Sequence, residues 1–186
     1  MINKWEEKTG MEFVNRVGIK PEAIVLDFGC GEGLFSIPIA KHLAPRGRVF
    51  AMDIDRSNLE TLEKKARELS LNNIEPVYSE DDLNIKFEDD FFDIILIYDV
   101  LHLFDKEQRD KLFDNFHRIL KDGGRLSVYP KHTADNFPMH ELRHTYVDEV
   151  VKEIECHKFL LDVRLKTKIL HNERIQEDDI YNFKKI

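Results

Sequence analysis

Short apolar runs alternate along the chain with longer stretches in which apolar residues recur every three or four positions. The runs over 23–28, 49–53, 74–78, 93–98 and 125–129 each predict a strand. The run over 93–98 is nearly all apolar, as a strand buried on both faces should be. Between the strands, Leu59, Leu62, Ala66 and Leu69 mark one face of a helix over 57–69, which Ser57 and Glu60 open as a capping box. Leu112, Phe113, Phe116, Ile119 and Leu120 mark a second helix, opened by Asp105 and Gln108 and stopped by Gly123-Gly124. A helix over 34–43 ends at Pro45 and Gly47. A leading helix over 4–17 carries Trp5, Phe13, Val14 and Val17 and stops at Gly18 and Pro21. Another helix is expected from near Pro138, its apolar face running through Val147, Val151 and Ile154. Val163, Leu165, Thr167 and Ile169 then alternate with charged residues in a half-exposed strand. A turn over 171–174 leads to a last strand over 180–183. Strands and helices in alternation predict an α/β domain with a mostly parallel sheet.

The first strand ends in an acid and three glycines at alternate positions, Asp27-Phe28-Gly29-Cys30-Gly31-Glu32-Gly33. Glycines there let the backbone turn tightly and let a ligand approach with no Cβ in the way. The spacing is G-x-G-x-G; the dinucleotide fingerprint would need a third glycine where Leu34 stands. A pyrophosphate would also meet the carboxylates of Asp27 and Glu32, a like-charge clash that a cationic ligand avoids. Asp53 closes the second strand, where a ribose-binding acid belongs. Cys30 reads as a small packing residue inside the loop.

The 186 residues suffice for one domain, 1–186, with a proper core, and the net charge is −8 with no basic cluster, which argues against nucleic acid as a partner. Two cysteines far apart make no disulfide framework and fit a reducing cytoplasm. No apolar run is long enough to span a membrane, and the first residues are too polar for a signal peptide. One motif stands outside this frame: His140-Glu141-Leu142-Arg143-His144 fits H-E-x-x-H, which on a helix would put both histidines on one face. No third ligand follows at the metalloprotease spacing, so no metal centre is assigned. A metal-binding enzyme using His140 and His144 is one alternative reading, and a dehydrogenase using Asp53 is another.

The stretch from Val25 to Gly33 resembles motif I of the class I S-adenosylmethionine-dependent methyltransferases, close to the small-molecule, type 11-like branch. The resemblance extends over most of the chain, and Arg118 to Leu126 is similar to the family's helix-to-strand turn, with Asp122 where a proline is usual. It implies a doubly wound seven-stranded sheet of order 3-2-1-4-5-7-6, the last strand antiparallel. It implies S-adenosylmethionine as cofactor, with S-adenosylhomocysteine as product, held by Asp27, Gly29, Gly31 and Gly33. Asp53 would take the ribose hydroxyls, Ile54 would pack on adenine, Asp81 with Asp82 beside it would accept from the adenine amino group, and Tyr98 would line the sulfur end. Residues 1–18 would form a lid helix. The segment after the fourth strand departs from the Asn/Asp-Pro-Pro-aromatic motif of nucleic-acid and protein N-methyltransferases. A small-molecule acceptor is therefore expected, with His102 and His132 as candidate bases and His102, His132, His140 and His144 as candidate pocket residues. A non-enzymatic binder that kept the cofactor fold is the alternative from another class.

Overall fold

Ile24–Phe28 forms β1, and its buried residues Val25 to Phe28 run parallel to β2, Arg48–Asp53, from Ile24↔Arg48 to Phe28↔Met52. The computed structural model describes residues 5–81, 83, 85–171 and 174–186. Ile74–Tyr78, β3, lies parallel on β2; Phe92–Tyr98, β4, pairs parallel with Leu120–Tyr129, β5. Phe159–His171 and Arg174–Lys185 are β6 and β7, and β7 runs antiparallel to β5, with Arg125 opposite Lys184. The sheet has seven strands in the order β3-β2-β1-β4-β5-β7-β6, as expected. The chain divides into two compact units, Met1–Asp82 with Leu165–Asp179, and Leu83–Arg164 with Ile180–Ile186.

In the first unit, a π-helical turn at Trp5–Thr9 leads into α1, Gly10–Val17. Trp5 is wholly buried; its indole N–H donates to the Leu34 carbonyl at 2.8 Å, and its ring packs on Phe13 and Phe35. An indole buried with its one donor satisfied anchors a core. The helix after the glycines is α2, Ser36–His42. Helix α3, Arg56–Glu68, buries Leu59, Leu62 and Ala66 at helical spacing, and Leu59 and Leu62 join Cys30, Ile37 and Ala51 in one apolar cluster. Its cap is Asp55, whose carboxylate accepts from the Ser57 N–H at 2.8 Å and the Ser57 hydroxyl at 2.7 Å, so the box expected from Ser57 is corrected. Asp55 prevails because Ser57 already lies within the first helical turn.

In the second unit, α4, Lys106–Ile119, opens with the expected box: the Gln108 N–H donates to Asp105, and the Asp105 N–H donates to Gln108. It ends four residues before Gly123, not at the glycines (123 − 119 = 4). Gly123 and Gly124 instead let β5 bulge, where pairing jumps from Phe92↔Leu120 to Ile94↔Arg125; Gly123 has φ 69°, and a Cβ on Gly124 would press on the Lys121 carbonyl. The helix expected from Pro138 is also corrected. His140–Leu142 is a single 3-10 turn, and α5 spans only Val147–Glu155. The left-handed backbone at His140, φ 49°, and the extended Tyr146, ψ 155°, break any continuous helix there. The buried face of α5 is Val147, Val150 and Ile154, with Val151 half-buried.

Candidate functional site

In the first unit the chain turns at the end of β1. The Gly29 and Cys30 N–H groups donate to the Met52 carbonyl at 2.9 and 3.0 Å, laying the loop over the end of β2. The Gly31 N–H donates to Asp53 Oδ2 at 2.7 Å; Asp53 Oδ1 accepts from the Asp55 N–H at 2.8 Å and from the Asn58 amide at 3.4 Å. Asp53 is thereby locked between the loop and the start of α3, and its Oδ2, with one donor, has room for a second.

The glycines serve different needs. Gly31 has φ 53°, and the space where a Cβ would stand is open. Gly33 has φ 85°, and a Cβ there would collide with the Leu62 side chain. Gly33 is a packing residue; Gly31 is an open cradle beside a carboxylate. Gly33→Ala should therefore lose about 2–3 kcal/mol in urea denaturation, and Gly31→Ala only the backbone cost of roughly 1 kcal/mol. Equal losses would contradict this division.

Asp27 is 2 % exposed, and the Ser36 hydroxyl donates to its Oδ2 at 2.5 Å. Burial above all, with the nearby Asp53 charge adding to it, pushes its carboxyl up to about 6 against the lowering effect of Ser36. Burial and the same two acids push the Cys30 thiol up, so Cys30 is an inert packing residue, as expected. Glu32 is exposed and ion-paired with Lys65 at 2.9 Å, which leaves Asp27 and Asp53 as the acids that set the field around the loop. Ile54 is 54 % exposed just past Asp53. At the end of β3, the Arg56 guanidinium lies 3.7 Å over the Tyr78 ring, a surface not anticipated from sequence. Asp81 is exposed in the loop after β3; Asp82 lies outside the described residues.

In the second unit, Tyr98 stands at the end of β4 with its phenol turned into the sheet. Its hydroxyl lies 2.6 Å from Ser127 Oγ, which in turn donates to Asn182 at 2.7 Å, a buried chain across β4, β5 and β7. The residue that turns outward is the next one, Asp99, whose N–H donates to the Tyr129 carbonyl. Asp99 Oδ1 lies 3.3 Å from His132 Nε2 and 3.8 Å from His102 Nδ1. The His102 ring packs edge-on against His132 at 4.4 Å and tilted against His140 at 5.2 Å. Three of the four expected pocket histidines thus meet. His144 stands apart on the exposed turn, its Nε2 accepting from Arg143 at 3.2 Å, so the H-E-x-x-H arrangement is absent. Asp99 was missed as a site residue; its position three residues before His102, at a strand end, was the available signal. Lys131, buried beside them, donates to Asn136 at 2.7 Å and lies over the Tyr129 and Phe137 rings. Among the described residues no helix is long and apolar enough to cross a membrane.

The methyltransferase domain family matches residues 25–124, from β1 to the bulge of β5. A demethylmenaquinone methyltransferase of Lactobacillus johnsonii is 27% identical over 126 residues, 68% of this chain and 49% of that protein. The ubiquinone/menaquinone biosynthesis C-methyltransferase UbiE of Vibrio vulnificus is 33% identical over 112 residues, 60% of this chain and 42% of that protein. The chain spans about half the length of the curated relatives it matches. Crystal structures of S-adenosylmethionine-dependent methyltransferases from Aquifex aeolicus and Methanosarcina mazei share its fold. Their TM-scores are 0.75 and 0.73 at 18% identity; the matches cover 98% and 90% of this chain and 91% and 94% of theirs. With more than half of its residues matched, and with the glycine loop, the strand-end acid and the strand order in place, the chain belongs to the methyltransferase domain family, among the class I S-adenosylmethionine-dependent methyltransferases.

Proposed function

We propose that the protein transfers a methyl group from S-adenosylmethionine to a small-molecule acceptor. The observation that carries this reading is the open cradle at Gly31 beside the locked Asp53 carboxylate. S-adenosylmethionine brings a methyl already activated by its sulfonium, so the protein's work is to bind, orient and exclude water. Asp53 would accept from the two ribose hydroxyls. Exposed Ile54 offers an apolar face to adenine, and Asp81 an acceptor for its amino group. Gly29 and Gly31 let the backbone approach the ligand, and the acids Asp27 and Asp53 favour its cationic end. Activation of the acceptor falls to the Asp99, His102 and His132 cluster, with His140 against it. The names of the relatives, which act on demethylmenaquinone or in quinone biosynthesis, support a small-molecule acceptor.

Calorimetric titration of the cofactor-stripped protein with S-adenosylhomocysteine tests this, with NADH as control. We expect saturable binding of the first alone. Asp53→Ala should weaken it by at least roughly 100-fold, the worth of two lost hydrogen bonds to a charged acceptor. Gly31→Ala should weaken it while leaving the fold intact by circular dichroism. Tight NADH binding, or an Asp53→Ala variant that binds as well as wild type, would overturn the reading.

A further inference from the structure

We propose that Asp99, His102 and His132 form a site for a divalent transition-metal ion. The three residues come from the end of β4, the 3-10 turn Leu101–Leu103 and the loop after β5. One ligand atom from each lies within 4.8 Å of the others. Two ligands held at about 2.0–2.1 Å from a tetrahedral zinc ion lie about 3.3–3.4 Å apart. Asp99 Oδ1 and His132 Nε2 already stand at 3.3 Å, and His102 Nδ1, at 3.8 Å from the same oxygen, needs a small closure. Two imidazoles and one carboxylate form the donor set of three-ligand centres that keep positions open for a further ligand.

The chemistry of His132 points the same way. Its Nδ1 lies 3.0 Å from the Phe137 carbonyl oxygen, which can only accept, so Nδ1 carries the proton. Nε2 then faces Asp99 Oδ1 at 3.3 Å, a pair of ligand atoms between which a cation could be held. A ring N–H donated to a backbone carbonyl is also the usual way a metal-binding histidine is oriented. Asp99, His132, Phe137 and His140 all adopt left-handed backbone conformations, with φ of 57°, 65°, 53° and 49°. Such conformations in residues other than glycine cluster where side chains are held for function. The neighbouring cation, Lys131, is engaged by Asn136 and two aromatic rings.

Two imidazole nitrogens favour zinc, cobalt or iron(II) over magnesium or calcium. Where methyl transfer holds, the ion's open positions would take an acceptor oxygen and lower its pKa; that clause rests on the proposed function, and the site itself does not.

The test is calorimetric titration of the chelator-treated full chain with Zn²⁺, with Co²⁺ as a visible-absorption probe and Mg²⁺ as control. S-adenosylhomocysteine affinity is measured on the same samples. We expect one equivalent of Zn²⁺ and a cobalt band from nitrogen ligands. Binding should fall about 100-fold in His102→Ala and in His132→Ala, fall in Asp99→Asn, and stay unchanged in His144→Ala. His102→Gln replaces any variant that fails to fold. Absence of saturable Zn²⁺ binding in the folded wild type would overturn the proposal and leave a proton as the occupant. Binding that survives the double variant His102→Ala/His132→Ala would also overturn it. Zn²⁺ binding without S-adenosylhomocysteine binding would sink the methyl-transfer reading and leave the metal site standing.

Discussion

Glu153→Ala should cost about 3–5 kcal/mol of stability, much of what holds a domain of this size together. Arg109 on α4 and Glu153 on α5 are 5% and 8% exposed. The guanidinium donates to both carboxylate oxygens, from Nε at 3.1 Å and Nη2 at 3.2 Å, and from Nη1 to the Phe104 carbonyl at 2.7 Å. Removing the carboxylate leaves a charge in a dry environment with one backbone acceptor. Lys106, 3.6 Å from Glu153, is largely exposed and adds little. The intact pair need not be strongly stabilising, because desolvation of both ions offsets their attraction. Replacing both by leucine should therefore recover most of the loss. Urea denaturation of the two variants checks this. A loss below about 1 kcal/mol in Glu153→Ala would mean that water reaches the pair.

Asp27→Asn should stabilise the protein at neutral pH and weaken the cofactor. With its carboxyl raised from 3.8 to about 6, folded Asp27 binds a proton more tightly than unfolded Asp27 does. Stability from this group is greatest below pH 3.8, falls as pH rises from 3.8 to 6, and is level above 6. The charged form at pH 7 then costs about 3 kcal/mol. Asparagine removes that cost and keeps an acceptor for the Ser36 hydroxyl, but it exchanges one carboxylate oxygen for an amide donor. We expect a net gain of about 1–2 kcal/mol at pH 7.5, shrinking toward zero near pH 4. Denaturation of both proteins across pH 4–8 checks the sign; a difference that does not change with pH would contradict the assignment. S-adenosylhomocysteine should bind Asp27→Asn roughly tenfold more weakly, the worth of one lost ionic interaction. A residue that costs stability while favouring a ligand is expected at a functional site.

Where sequence reasoning failed, it failed for local signals that had two uses. Gly123-Gly124 carries the mark of a helix stop, and the chain uses it for a strand bulge, a choice made by the register of β5 on β4. Ser57 and Glu60 have capping spacing, but Asp55 sits two residues earlier and wins. The histidines of H-E-x-x-H fall on a 3-10 turn because His140 takes a left-handed backbone, which no pattern of apolar residues encodes.

The sequence by itself determined the α/β class, the strand order through its resemblance, the glycine loop and the acid Asp53 at the end of the second strand. These rest on short-range periodicity and on residues next to strand ends, where the exit of a strand constrains the few residues after it. Tertiary structure alone decided three things: the raised carboxyl of Asp27, the buried Arg109–Glu153 pair, and the meeting of Asp99, His102, His132 and His140. A carboxyl is shifted by the groups around it in space. Asp99 and His132 become neighbours only because β4 and β5 run parallel and end side by side, which joins residues more than thirty positions apart (132 − 99 = 33).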